Sequence, residues 1–344
     1  MEQALVKEIG SFVMKARRLV ARSASVLLLA HGTALTAMPQ APQAPSQAGD
    51  QVKAEEAKFY ANAHPYIDES LPELKKMVHE LGGLKPAASQ EALSDLLAKV
   101  AAKADELLRK VPDLISDETV QETQWAVSPG PSPCVGTACL QRPEGSIARR
   151  DQNFTYLILA HSRQDHSLLI EEYRTGRNGK PVPQGTDAPQ FQGFVSSWVI
   201  FSSLNQVESR FRYLGEQKSD GYNTLVVGFA QIPGSIEQPG EFLTGKGPIP
   251  MLLQGVAWID QSDFRIVRLR TDLLAPQPLV DFQKLTANIL FGPIHIADLD
   301  SALWLPQAVD AEMEASGQYL QEQHRYSKYR LYLAKSRIIQ SPDQ

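Results

Sequence analysis

Cysteine is scarce in this chain, and the motifs of the common catalytic centres are missing from it. Two cysteines occur among 344 residues. Neither the GxSxG elbow of α/β-hydrolases nor the HExxH helix of zinc proteases is present. Because hydrolases can also be built from dispersed residues, these absences weaken the enzyme hypothesis without removing it. The sequence predicts a non-enzymatic protein that needs no cofactor and holds no metal.

Positive charge is also in short supply outside the first 37 residues. The chain carries 34 Lys and Arg against 39 Asp and Glu, a net charge of -5. Residues 1–37 hold five of the basic groups and two of the acidic ones, which leaves 29 basic and 37 acidic groups, or -8, for the remainder. Nucleic-acid binders need clustered Lys and Arg to neutralise phosphates, so this balance argues against a nucleic-acid partner.

The amino-terminal residues follow the order of a secretory signal. Basic residues come first, then the apolar run 26–38, which His31 and Gly32 interrupt, and small residues end it. The run is too short to cross a bilayer as an ordinary helix. Residues 1–37 are therefore predicted to be a signal peptide, and the mature protein is predicted to be periplasmic or in the cell envelope, without a membrane span. An uncleaved anchor and a cytosolic amphipathic start are the alternatives. The basic residues are Lys15, Arg17, Arg18 and Arg22, and the small ones are Ala34, Thr36 and Ala37.

The two cysteines stand close together in the segment PSPCVGTAC. Cys134 and Cys139 are separated by four residues that include Gly136, so they can close a small loop. An even cysteine count in an exported chain favours a disulfide. A metal site would need further ligands, and the nearest histidine is His161. A disulfide between Cys134 and Cys139 is the prediction.

Two stretches precede the β-rich part of the chain. Residues 38–53 are rich in Pro, Gln and Ala and are predicted to be a disordered linker. Residues 54–87 are predicted to be a helical lead segment, in which Ser70 and Glu73 form a capping box. Apolar residues then recur at helical spacing from Leu93 to Val111 and predict an amphipathic helix that packs on a sheet.

From Asn153 onward, period-two patterns and short apolar runs indicate strands joined by turns. With the helices gathered in front, this order predicts an α+β fold with an antiparallel sheet. The hairpin predicted over Leu252–Thr271, with a polar turn at Gln261–Asp263, is its clearest part. The other candidate strands are 154–159, 167–173, 198–201, 209–214, 222–231, 284–291, 303–314 and 319–338.

Isolated polar motifs offer little chemistry. The segment GEFLTGKG lacks the Ser or Thr of a phosphate-binding loop, and prolines follow it, so it is predicted to be a long inter-strand loop. His161 and His166 flank a turn and are predicted to be solvated rather than metal-bound. His295 and His324 belong to no recognisable triad.

The arginines of the hairpin are the more suggestive set. Strict alternation would place Arg268 and Arg270 on the same side as Ile266, where they could contact a lipid headgroup or an acidic partner. The alternative is that these guanidinium groups pair with nearby acids of the chain, such as Asp260, Asp263 or Asp272.

The hairpin also carries a family resemblance. Trp-Ile-Asp at 258–260, a short polar turn, Arg-Ile-Val-Arg-Leu at 265–269 and Leu-Trp-Leu-Pro at 303–306 resemble the outer-membrane lipoprotein carrier and sorting superfamily. That family includes the periplasmic carrier, its outer-membrane receptor and a sigma-factor regulator. The chain also looks like envelope proteins of acidobacterial type, in which a helix leads through a segment like VPDLISDETVQ into the sheet.

The resemblance implies a curved antiparallel sheet, an unclosed half-barrel over residues 88–338, with helices covering one face. Its apolar cavity would bind a lipid, an acyl chain or a lipidated protein in the cell envelope. Trp258, Ile266 and Trp304 are candidate cavity or packing residues, as are Leu225, Val227 and Phe229, which alternate on one side of their strand. The alternatives are an envelope interaction or sensing module with a filled core, and a hydrolase with dispersed residues.

Overall fold

The computed structural model describes residues 59–126, 148–162, 168–176, 179–182, 189–236, 240–244, 247–277 and 281–332, and the backbone of 11–13. The predicted linker, the rest of the predicted signal peptide and the Cys134–Cys139 pair lie outside these residues. Within the described part of the chain, no helix is both long and apolar enough to cross a membrane.

An antiparallel sheet of eleven strands forms most of the fold, in the order β2-β7-β8-β11-β12-β13-β14-β15-β3-β4-β5. The order has two ends, so the sheet stays open, and the prediction of an α+β half-barrel is confirmed. The bounds are β2 Lys85–Pro86, β3 Leu114–Ala126, β4 Ala148–Ser162, β5 Leu168–Thr175, β7 Ser209–Ser219, β8 Tyr222–Gln231, β11 Leu253–Asp260, β12 Ile266–Leu273, β13 Phe282–Ile294, β14 Leu303–Ala315 and β15 Gln318–Leu331.

A second, smaller sheet has the order β10-β9-β1-β6. Its strands are β1 Ser11–Val13, β6 Phe191–Gln192, β9 Gly240–Thr244 and β10 Gly247–Met251. Strands β9 and β10 pair as an antiparallel hairpin, so the prediction of a long loop in this region is wrong. These strands are not evident from the sequence because Pro248 and Pro250 interrupt the alternating pattern of β10. Prolines are tolerated at a sheet edge, and β10 is the edge strand of this sheet.

The predicted hairpin is the pair β11–β12, near the middle of the large sheet. Trp258 pairs with Arg268, whereas its neighbour Ile259 pairs with Ile266, so β12 contains one extra residue, a β-bulge. Because of this extra residue, the side chains of Ile266 and Arg268 lie on opposite faces of the sheet. The prediction that Ile266 shares a face with Arg268 and Arg270 is therefore wrong.

The two faces of the large sheet are covered by different segments. We call the face that bears Trp258, Arg268 and Arg270 the lead face, because the helical lead segment packs on it. That segment contains helix α1, Leu71–Met77, capped by Ser70 as predicted, and 3-10 turns at Tyr60–Asn62 and His79–Gly83. Its buried side chains, Tyr66, Leu74, Val78 and Leu81, join the main core.

Helix α2, Leu93–Lys110, lies on the opposite face, where Val100 and Ala104 approach Ile266. We call this the strap face, because the chain crosses it on the way from β5 to β7, which eight strands separate in the sheet. Residues 189–201, the strap, touch Phe291 on β13 through Trp198 and Phe229 on β8 through Phe201.

The strap includes a 3-10 turn at Ser197–Phe201, followed by another at Gln206–Glu208. The prediction of a strand at 198–201 is therefore wrong. Trp198 and Phe201 are buried against the sheet rather than within it, and a short apolar run has the same sequence signature in either position.

Candidate functional site: a cleft under helix α2 beside a buried charged cluster

A narrow cleft lies between α2 and the strap face of the sheet. The space between its side chains is about 240 Å³, part of which is open to solvent, and the enclosed part has room for about one water molecule. Its walls are mainly apolar and come from four separate parts of the chain: Val100, Ala104 and Leu107 on α2, Trp198 on the strap, Phe264 and Ile266 at the start of β12, and Trp304 on β14.

Two cationic side chains border this apolar cleft. Lys103 pairs with Glu106 at 2.6 Å between Nζ and Oε2, and Arg265 pairs with Asp263 at 2.8 Å between Nε and Oδ2. Both ion pairs are partly exposed, so each contributes about 1 kcal/mol or less. The guanidinium of Arg265 also lies 4.9 Å from the ring centroid of Trp304. An anionic group at the mouth could therefore exchange with either carboxylate at little cost.

Phe264 holds a strained position beside the cleft. Its φ of 61° lies in the left-handed region, which bulky residues rarely adopt. The turn imposes this conformation, because the Phe264 N–H donates to Asp260 O and the Asp260 N–H donates to Arg265 O. The ring thereby lines the cleft, with Lys99 Nζ 5.0 Å from its centroid.

The predicted cavity residues divide between the two faces. Ile266 and Trp304 line the cleft, and the Trp304 indole N–H donates to Ile266 O at 2.8 Å. Val227 and Phe229 are buried in the main core, and Leu225 is partly buried against it. Trp258 is fully buried on the lead face, where its indole N–H donates to Gln217 Oε1 at 3.3 Å.

The predicted headgroup arginines are engaged with carboxylates of the chain. Arg270 is buried, and it contacts Asp272 at 2.8 Å and Glu80 at 2.9 Å. Arg268 is less enclosed, lies 3.7 Å from both Glu80 and Asp220, and stacks over Trp258. Together the two arginines fasten the lead segment, through Glu80, to the sheet.

A cluster of buried charged groups lies on strands β15, β3 and β5 of the strap face, next to β14, which contributes Trp304 to the cleft. Glu118 on β3 accepts two hydrogen bonds from Arg174 on β5, at 2.6 and 2.8 Å. Its Oε1 also lies 2.9 Å from His324 Nδ1, while His324 Nε2 lies 3.1 Å from Glu322 Oε2. An imidazole with a carboxylate at each nitrogen is best satisfied as a doubly protonated imidazolium.

A second carboxylate in the cluster binds the strap. Glu172 accepts the hydroxyl of Tyr156 at 2.6 Å and the backbone N–H groups of Val195 and Ser196, each at 3.1 Å. Glu322 likewise accepts the backbone N–H groups of Gln190 at 2.6 Å and Phe191 at 3.3 Å. The strap is thus held by carboxylates that lie on the sheet.

Burial and pairing shift the acidity of these groups in different directions. Burial tends to raise the pKa of Glu118, but Arg174 outweighs it and holds that pKa at about 2. Burial raises the pKa of Glu172 more than its hydrogen bonds from Tyr156, Val195 and Ser196 lower it. Burial alone would lower the pKa of His324, but hydrogen bonds to Glu118 and Glu322 raise it.

His324 is the member of this cluster for which the sequence predicted no role. His161 is exposed, as predicted, and His295 is exposed as well. His166 lies outside the described residues, whereas His324 is completely buried. The sequence contains one signal, which is the alternation of side chains between the two faces of β3 and β15. One face carries Glu118, Val120 and Glu122 on β3, and Glu322, His324 and Tyr326 on β15. Nothing in either pattern shows that the two strands are paired. Among the described residues, no group of three or more His, Cys, Asp or Glu side chains is arranged to hold a metal ion.

Comparison with known proteins finds no matching family model and no match among curated proteins. Solved structures do match. They include an outer membrane lipoprotein-sorting protein domain of Vibrio parahaemolyticus (11% identity, 69% of this chain and 93% of that one, TM-score 0.35) and a DUF1329 family protein of Desulfovibrio piger (11%, 70% and 94%, TM-score 0.33). A LolA superfamily protein of Nitrosomonas europaea also matches (12%, 70% and 94%, TM-score 0.30).

At identities of 10–12% and TM-scores below 0.5, these matches carry no argument about ligand or partner. The half-barrel assignment therefore rests on the eleven-stranded open sheet itself, and any function must be argued from the cleft.

Proposed function

We propose that this protein is a non-enzymatic binding protein that holds an acyl chain in the cleft between α2 and the sheet. The observation that carries the proposal is the composition of the cleft: apolar walls from four segments, with Lys103 and Arg265 at the border. This is the arrangement that suits an amphiphile with an apolar tail and an anionic head.

The cleft is narrow as it stands, so binding an acyl chain requires α2 to move away from the sheet. Several α2 side chains that face the protein, including Leu97, Leu107 and Leu108, are only partly buried. The polar ties of α2 to the chain after the strap are few and lie near the surface, such as Asp105 to Ser203 at 2.6 Å. Outward movement of α2 would expose four buried side chains, Leu96, Val100, Ala101 and Ala104, so the acyl chain must replace their contacts with the sheet.

The energetics set a minimum chain length. Each methylene removed from water contributes about 0.8 kcal/mol, and association costs at least about 4 kcal/mol. A chain of about eight carbons or more is needed before binding is favourable, since α2 must also be displaced. Long-chain fatty acids and single-chain lipids meet this requirement.

The test uses the purified protein and two fluorescent probes that share one long acyl tail, one ending in a carboxylate and one in an alcohol. We expect the carboxylate probe to bind, and to bind more tightly than the alcohol, because Lys103 and Arg265 border the cleft. Native mass spectrometry should also detect lipid retained from the cell. If neither probe binds and no lipid is retained, acyl binding is refuted.

We propose that the site operates in the cell envelope. The support is the order of basic, apolar and small residues in 1–37. Expression of the whole chain followed by amino-terminal analysis of the extracytoplasmic fraction should give a mature protein that begins after residue 37 and therefore lacks β1, the strand between β6 and β9. Recovery of the intact chain in the cytoplasm would contradict export.

A second candidate function is supported by the way the strap fills its face. Trp198 and Phe201 contact the sheet where a larger cavity would otherwise lie, as expected of an envelope interaction module with a packed core. Arg268, more exposed than Arg270, is the candidate contact to a partner. A stoichiometric protein partner that is lost in Arg268→Glu, together with exclusion of both probes, would establish this function instead.

A further inference from the structure

Among the described residues that line the cleft, every polar side chain is a hydrogen-bond donor. These side chains belong to Lys103, Trp198, Arg265 and Trp304, and ammonium, guanidinium and indole groups donate hydrogen bonds but cannot accept them. Trp304 already donates to Ile266 O at 2.8 Å, and Lys103 and Arg265 form ion pairs with neighbouring carboxylates. A molecule that matches these side chains therefore supplies hydrogen-bond acceptors.

One of the donors, the indole N–H of Trp198, has no acceptor among the described residues. The side chain is buried, so bulk water does not replace the missing partner. A buried donor without an acceptor leaves the cost of its desolvation uncompensated, and native structures contain few of them. Because Trp198 forms part of the cleft wall, an acceptor on a bound molecule would complete this donor.

A single water molecule is the simplest alternative partner, since the enclosed part of the cleft has room for about one. A buried water forms about three hydrogen bonds and must place its own two protons on acceptors. The polar side chains of this cleft provide none. A carbonyl oxygen has no proton to place, so it fits these walls better than water does.

The strap fixes Trp198 to the sheet. The backbone N–H groups of Val195 and Ser196 donate to Glu172 on β5, each at 3.1 Å. The Trp198 ring lies edge-on to Phe291 on β13, with the ring centroids 5.6 Å apart. When α2 moves outward to admit a ligand, this donor stays with the sheet. It is therefore preorganised for an acceptor.

The donors of the cleft lie at two depths. Trp198 is 2% exposed, whereas the side chains of Lys103 and Arg265 are 23% and 30% exposed. Full burial of a charge is costly, while a buried carbonyl is satisfied by one neutral donor. The mouth of the cleft therefore suits an anionic group, and the deeper indole N–H suits a neutral acceptor.

We propose that the cleft selects O-acyl lipids with an anionic headgroup: the ester carbonyl accepts the Trp198 indole N–H, and the anion lies at the mouth beside Lys103 and Arg265. This inference rests on the proposed acyl binding and specifies its ligand class. An ester fits better than an amide, because an amide N–H would add a donor to a cleft whose side chains cannot accept it.

Two lipids that differ only in the carbonyl test the selectivity by titration calorimetry. The lauroyl ester of glycerol 3-phosphate and the corresponding dodecyl ether share the headgroup and the chain length. Below their critical micelle concentrations, we expect the wild type to bind the ester about fivefold more tightly, which corresponds to one net hydrogen bond. In Trp198→Phe the preference should disappear, because an aromatic ring remains and the N–H is gone.

The matched control is Trp258→Phe. Trp258 is also buried, but it lies on the lead face, and its indole N–H donates to Gln217. This variant should keep the preference for the ester.

Proton–nitrogen NMR of the wild type gives a readout that does not depend on the folding of a variant. The chain contains four tryptophans and therefore four indole N–H groups. We expect the signal of Trp198 to move downfield when the ester binds and not when the ether binds, because only the ester supplies an acceptor.

Equal affinity for ester and ether in the wild type, with the same Trp198 signal in both complexes, would overturn the selectivity and leave acyl binding intact. Dodecanoate is the third probe. If it moves the Trp198 signal as far as the ester does, a carboxylate reaches this donor and the O-acyl assignment is wrong. If none of the three probes binds, the proposed function fails and this inference fails with it.

Discussion

At the scale of single residues, the Glu118–Arg174 pair is the strongest constraint on the strap face. The two side chains are almost fully buried and share two hydrogen bonds. Removing one partner of such a pair leaves an uncompensated buried charge. The pair joins β3 to β5 across β4, so it also fixes the edge of the sheet from which the strap departs.

Glu118→Gln should therefore destabilise the protein by about 3 kcal/mol, since Arg174 loses its counter-charge. Denaturant unfolding measures this. The control is Asp117→Asn on the same strand, whose carboxylate pairs at the surface with Lys328 and Arg330. We expect that change to cost about 0.5 kcal/mol or less. If the two substitutions lower the free energy of unfolding equally, the buried Glu118–Arg174 pair contributes no more to stability than a surface ion pair.

The same pair predicts a pH dependence. The pKa of Glu118 in the folded protein is about 2, below its ordinary value. A lowered folded-state pKa stabilises the fold above the unfolded-state pKa, and this contribution disappears as the pH falls toward about 2. The stability difference between the wild type and Glu118→Gln should shrink over that acidic range. A difference that stays constant would contradict the assignment.

The sequence could not have identified this cluster. Its members are spread over β3, β4, β5 and β15, and the alternation in each strand shows only that polar residues share one face. A buried carboxylate and a solvated one look the same in a sequence until the register of four strands is known. For the same reason, the sequence around His324 forms no recognisable motif.

At the scale of elements, the sequence predicted the β11–β12 hairpin and helix α2 well because both have strong periodicity and clear ends. It failed where a local irregularity changed the register. The bulge opposite Trp258 and Ile259 moved Ile266 to the strap face and left Arg268 on the lead face. A bulge adds one residue without a characteristic sequence, so alternation alone cannot reveal it.

Close approach of the backbones in this hairpin gives a testable prediction. A Cβ placed on Gly255 would lie 1.9 Å from Arg270 O and 2.9 Å from the Phe229 ring, so the strands would have to separate. Gly255→Ala should destabilise the protein by about 2 kcal/mol or more. Gly82→Ala is the control, because a Cβ there meets nothing within 4 Å. If thermal unfolding shifts equally in both variants, the close approach is not a constraint.

At the scale of the whole molecule, two separate segments cover the two faces of one open sheet. The lead segment is fixed by Arg270 and Glu80, while the strap and α2 enclose a cleft with apolar walls on the other face. The open sheet and its helical cover were predictable from periodicity and the family resemblance. The strap was not, because a chain that crosses eight strands leaves no local pattern that shows where it lies.

The acyl-binding proposal is tested by filling the cleft. Ala104 lines the cleft, whereas Ala102 is exposed on the same helix. We expect Ala104→Trp to weaken binding of the long-chain carboxylate probe by about tenfold or more, because the indole occupies the space that the chain needs, and Ala102→Trp to bind like the wild type. Equal affinity in all three proteins, measured by fluorescence titration of folded samples, would contradict acyl binding in this cleft.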